Sequence, residues 1–102
     1  MNEWNRNKLS AFLDGKATGL VYFYTPMCGT CQVASKMLQV IEELVELNIG
    51  KMNLNFYPDL AREFEIESVP CLVFVKSGEV IETLYAFHSV PFLLEKIKQH
   101  LL

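Results

Sequence analysis

A chain of 102 residues, 51% apolar and 21% charged, has material for one hydrophobic core and too little for two, and it is too apolar to be disordered as a whole. Nine basic against twelve acidic side chains leave a net charge of −3 with no basic block, which argues against nucleic acid or an anionic membrane as a partner. There is no apolar run long enough for a transmembrane helix, and three cysteines are odd in number and too few for a disulfide scaffold.

The first fourteen residues carry Trp4, Leu9, Phe12 and Leu13 but no continuous apolar core of signal-peptide length, so a cytoplasmic location is expected. In that reducing setting a Cys-x-x-Cys pair is more often catalytic or metal-binding than a permanent staple. Glu3 to Leu13 reads as a short amphipathic helix stopped by Asp14-Gly15. Leu20 to Tyr24, β-branched and aromatic without alternation, reads as a strand buried on both faces, broken by Pro26 and Gly29. Val33, Ala34, Met37, Leu38, Ile41, Leu44 and Val45 then recur at helical spacing. Gln32, Lys36, Gln39, Glu43 and Glu46 lie opposite them, and this is the clearest helix in the chain.

Ile49 to Leu54 reads as a second strand, and Pro58-Asp59 opens a small helix running to Phe64. After a break at Val69-Pro70, Cys71 to Val75 and Val80 to Leu84 form a hairpin around the turn Lys76-Ser77-Gly78-Glu79. Ser89 is placed to cap a last helix with Phe92, Leu93, Ile97 and Leu101 inward. The order α-β-α-β-α-β-β-α, without repeats, low-complexity segments or linkers, predicts a single α/β domain over residues 1–102: a four-stranded mixed sheet with helices on both faces.

The chemistry concentrates in Tyr24-Thr25-Pro26-Met27-Cys28-Gly29-Thr30-Cys31, where the first strand hands over to the long helix. Unpaired N–H groups and the positive end of the helix dipole favour a thiolate there. Two sulfurs one helical turn apart can also close into a disulfide with little chain movement. Together with Ser68-Val69-Pro70 before the third strand and the hairpin Leu72 to Val80, this stretch resembles the thioredoxin family over nearly the whole chain. Lys51 and Asn53 fall where that family often has Lys and Asn, while its usual first strand is missing ahead of the first helix.

The resemblance implies a thiol–disulfide oxidoreductase acting on protein disulfides, with Cys28 as the nucleophile and Cys31 as the resolving thiol. It also implies a cis-Pro70 against the dithiol, and Val69 offering its backbone to an extended substrate segment. Met27, Gly29 and Thr30 would line the substrate contact, Gly29 by letting the backbone come close and Thr30 at a position often held by Pro. Protein disulfides and a thioredoxin reductase are the implied partners of a monomer, and no cofactor or metal is required.

The departures are as informative. Tyr22 stands where many thioredoxins bury an Asp, and a phenol is a poor base at neutral pH, so either a water or Lys51 takes the proton or turnover is slower than in a dedicated reductase. Met27 and Tyr24 replace two tryptophans, Lys36 replaces a helix-kinking proline, and Ala86 stands near a position often Gly in the substrate groove. Cys71 reads either as a small buried apolar residue where the family has Thr, or as a third redox thiol. As a ligand it could join Cys28 and Cys31 around a metal, which would make the chain a thioredoxin-fold binding module; a closed zinc site would then need His88 or His100 as well. Both histidines otherwise read as surface residues.

Overall fold

The structure, a computed structural model, describes residues 1–102. Five strands form one mixed sheet in the order β1-β3-β2-β4-β5: β1 (Asn2–Glu3), β2 (Gly19–Tyr24), β3 (Asn48–Asn53), β4 (Cys71–Lys76) and β5 (Glu79–Leu84). The first three run parallel to one another, and β4 and β5 are antiparallel. Four helices accompany them: α1 (Arg6–Asp14), α2 (Gly29–Leu44), α3 (Pro58–Glu63) and α4 (Val90–Leu101). No helix is long and apolar enough to cross a membrane.

The unalternating run of β2 has the reason anticipated for it, and β4 shares that reason. Both strands are interior, and successive side chains feed two separate apolar layers. Leu20, Tyr22, Leu72 and Phe74 pack beneath α2 and α4 with Ala34, Leu38, Ile41, Leu93 and Ile97. On the other face Val21, Phe23, Cys71, Val73 and Val75 pack beneath α1 and α3 with Trp4, Leu9, Phe12 and Leu60. Burying a side chain of this size stabilises the fold by roughly 1.5–3 kcal/mol, so both layers matter to stability.

The sheet has a fifth strand where four were expected. Asn2 and Glu3 pair parallel with Gly50 and Lys51, and the Trp4 N–H continues the ladder to the Lys51 carbonyl at 2.8 Å. The expected helix from Glu3 begins only at Arg6, because Asn5 caps it: its Oδ1 accepts the Lys8 N–H at 2.8 Å. Two residues are too few to show an alternation, so β1 left no periodic signal. What holds it is the Trp4 ring, which lies flat on Gly50, where a Cβ would fall inside the ring.

Two positions assigned to the inner face of α2, Val33 and Leu44, are exposed instead. Only the stripe Cys31, Ala34, Leu38 and Ile41 is buried, since α2 meets the sheet along one narrow line. At the hairpin, Ser77 (φ 52°) and Gly78 (φ 82°) both take the left-handed conformation that a two-residue turn between twisted strands requires.

Candidate active site

Helix α2 starts at Gly29, and its N-cap is Cys28, whose Sγ accepts the Cys31 N–H at 3.1 Å. A sulfur thus fills the place of a capping oxygen, and the orphan N–H at the helix end becomes a donor to it. Thr30 Oγ1 lies 3.3 Å from the same sulfur, and the Val69 carbonyl 3.9 Å away accepts from the thiol. Burial acts to raise the Cys28 pKa, but the hydrogen bonds with Cys31 and Thr30 outweigh it and hold the thiol below its ordinary range.

Cys31 is the opposite case. It is buried one turn further along, and burial, followed by its hydrogen bond with Cys28, pushes its pKa up to about 11. Both thiols are free. A thiol ionised early beside one ionised late is the division of labour that a nucleophile and a resolving group need.

The cis peptide between Val69 and Pro70 brings Pro70 to the groove beside the dithiol. That groove, about 350 Å³, runs between Thr30, Val33 and Met37 of α2 and the Tyr85-Ala86-Phe87-His88 segment. Ala86, expected near the groove, lies on its wall, and His88 stands at its rim with its ring edge-on to Phe92, 4.7 Å between centroids. Met27 does not line the groove; it projects beside the dithiol with 94% of its surface exposed. Gly29 is also exposed, with open space where a Cβ would go, so its value lies in an unobstructed approach to Cys28 rather than in a tight fit.

Tyr22 is wholly buried behind the dithiol, and burial pushes its pKa well above the ordinary phenol range. Its hydroxyl donates to the Cys31 carbonyl at 2.8 Å and lies 3.0 Å from Ser35 Oγ. Lys51, one of two stand-ins considered for the missing carboxylate, is directed instead over the Tyr24 ring, 5.6 Å from its centroid. The Tyr24 hydroxyl donates to Glu3 at 2.6 Å, which ties β1 to the residue that opens the dithiol loop.

Cys71 does not join the other two sulfurs. It pairs with Phe23 and faces the layer under α1 and α3, away from α2. Burial raises its pKa to about 12. The three cysteines and two histidines form no group able to hold a metal ion, so the ligand reading of Cys71 finds no geometry. His100, expected at the surface, is half-buried, with Nε2 2.8 Å from Glu82 and its ring edge-on to Phe74.

Three residues near the site escaped the sequence reading. Ser35 could have been found from its spacing, because position i+4 from Cys31 on a helix shares its face. Tyr85 accepts the Glu67 N–H at 3.1 Å and so ties the loop ahead of Pro70 to the groove wall. Nothing in the sequence announced that contact, or that of Glu3.

A free dithiol at a strand-to-helix junction, with a cis-proline loop across from it, defines a thioredoxin-fold redox site. The thioredoxin family model matches residues 3–99, and the chain belongs to that family, whose chemistry is thiol–disulfide exchange. It is 51% identical over 81 residues to a thioredoxin-like protein, YusE, of Bacillus subtilis, covering 78% of this chain and 76% of that one. It is 31% identical over 87 residues to a thioredoxin of Chlamydia caviae, covering 82% and 85%. A mutant thioredoxin from Halobacterium salinarum superposes with a TM-score of 0.85 at 22% identity over 98% of this chain and 88% of that one, a likeness of fold.

Proposed function

We propose that this protein reduces disulfides in other proteins through Cys28 and Cys31. The observation that carries the reading is the capping geometry: Cys28 Sγ receives the N–H of the very residue whose sulfur must later attack it to free the substrate. An extended substrate segment would lie along the groove and pair with the Val69 backbone, the exposed Met27 giving it a soft apolar contact.

The Cys28 thiolate attacks one sulfur of the substrate disulfide, forming a Cys28–substrate bond and releasing the other substrate sulfur as a thiolate that takes a proton from water. Cys31 then loses its proton and attacks Cys28, which closes the Cys28–Cys31 disulfide and frees the second substrate sulfur. Two electrons pass to the substrate, and an external dithiol or a thioredoxin reductase restores the pair. This reading suits a reducing compartment such as the cytoplasm, and nothing in the mechanism requires more than one copy of the chain.

The test is reduction of insulin by dithiothreitol, followed by turbidity. The protein should accelerate it, and Cys28→Ser should return the rate to that of dithiothreitol alone. Acceleration by Cys28→Ser equal to that of the unaltered protein would refute the assignment.

A further inference from the structure

Helix α2 carries more apolar surface than its own core uses. Ala34, Leu38 and Ile41 are buried against the sheet, while Val33, Val40 and Leu44 stand 55%, 43% and 56% exposed with Met37 half-buried among them. Exposed apolar side chains scattered singly are ordinary on any surface, but these four are not scattered. Their spacing of four, three and four residues sets them in one stripe along α2, beside the buried face, in the period of a coiled-coil seam.

The charges along the stripe say what covers it. Lys36 and Glu43 each directly precede a stripe residue, Met37 and Leu44, and so flank the stripe on one side. Both are exposed, and neither has an ion-pair partner within the chain. A second α2 laid antiparallel on the first brings Val33 opposite Leu44 and Met37 opposite Val40, each pair occurring twice about a two-fold axis. The same register sets each Lys36 beside Glu43 of the second copy, again twice, and runs the two helix dipoles head to tail. A parallel pairing instead sets Lys36 against the apolar flank of Ala34 and Ile41 and makes neither ion pair. Stripe, charges and dipoles thus share one symmetric solution, which is what a self-complementary surface requires.

We infer that α2 is a self-docking surface, through which two copies of the chain associate as an antiparallel, two-fold pair along Val33, Met37, Val40 and Leu44. One helix face per copy is little area, below the roughly 1,200 Å² at which stable complexes begin, so the pair is weak and forms with rising concentration. Val33 and Met37 are also the α2 wall of the groove beside the dithiol, so the second copy covers part of the path of a substrate segment. Self-association and exchange then compete. The interface itself does not depend on the dithiol reading; only this competition rests on it.

Sedimentation velocity in excess dithiothreitol, which excludes disulfide-linked pairs, tests the interface from about 10 µM to about 1 mM protein. The unaltered chain should pass from monomer toward dimer across that range. Val40→Glu, at an exposed position outside the groove, puts a carboxylate into the seam and should leave a monomer throughout. Lys36→Glu or Glu43→Lys alone sets like charges together twice per pair and should weaken association about tenfold, and the two exchanges combined should restore it. Insulin reduction per chain should fall as the unaltered protein is concentrated and stay level for Val40→Glu. A chain still monomeric at the top of the range, or a dimer indifferent to Val40→Glu or to the charge exchanges, overturns the interface. Dimerisation with an undiminished rate per chain overturns the competition alone. Failure to accelerate insulin reduction at any concentration removes the dithiol reading and leaves the sedimentation result to decide the interface.

Discussion

Cys31 and Cys71 are both buried, both pushed to a high pKa by that burial, and set on opposite faces of one sheet. Their surroundings beyond burial differ. Cys31 has a second sulfur one turn away, a buried phenol donating to its backbone carbonyl and a cleft beside it. Cys71 has an apolar layer of Phe23, Val21, Val73 and Phe12, and of the polar groups only the Tyr85 hydroxyl bears on it. Burial by itself makes a thiol inert; what turns a buried thiol into a resolving group is a partner sulfur and a route for the proton. One face of the sheet is thus arranged for chemistry and the other for stability.

The largest effect that can break this division is at Cys31. Cys31→Ser should lose turnover to background and accumulate a covalent Cys28–substrate adduct, visible by mass spectrometry under non-reducing conditions. Sustained turnover would mean that another thiol, Cys71 above all, can reach the bond. On the stability face, Gly50→Ala should cost about 3 kcal/mol in urea unfolding, because a Cβ there collides with the Trp4 ring and must dislodge it. The chemistry of whatever fraction stays folded should be retained. Cys71→Ala removes one buried atom beyond Cβ and should cost about 1–2 kcal/mol while leaving insulin reduction unchanged. A loss of activity beyond the loss of folded protein would put Cys71 into the mechanism.

Much of this arrangement could be read in the residues. The two interior strands show as unbroken apolar runs, the long helix by its period, and the dithiol by its spacing at their junction. The orientation of Cys71 was also legible, since alternation along β4 puts Cys71, Val73 and Val75 on one side and Leu72 and Phe74 on the other. Nearness to Pro70 in sequence, on which a redox reading of Cys71 would rest, says nothing about which face a side chain takes. β1 was illegible because it is held by one ring against one glycine rather than by a pattern. Tyr22 shows in the sequence as a missing carboxylate; only the coordinates place its hydroxyl on the Cys31 carbonyl and beside Ser35.

The smallest expected effect sharpens the comparison most finely, because it concerns one hydrogen bond at the reactive sulfur. Cys28 lies below the ordinary thiol range, so its thiolate persists to lower pH than a free cysteine's, and alkylation by iodoacetamide should reach half its limiting rate at correspondingly lower pH. Thr30 supplies one of the hydrogen bonds responsible, at 3.3 Å. Thr30→Ala removes that donor but leaves the Cys31 N–H in place, so the midpoint should rise and the rate at neutral pH should fall about twofold to threefold. The limiting rate at alkaline pH should rise slightly, since a more basic thiolate is the better nucleophile. Cys71, out of reach of the reagent in the folded protein, should stay unmodified throughout. A midpoint that does not move on losing Thr30 would assign the depression to the contacts with Cys31 and the helix end and leave the hydroxyl no part in it.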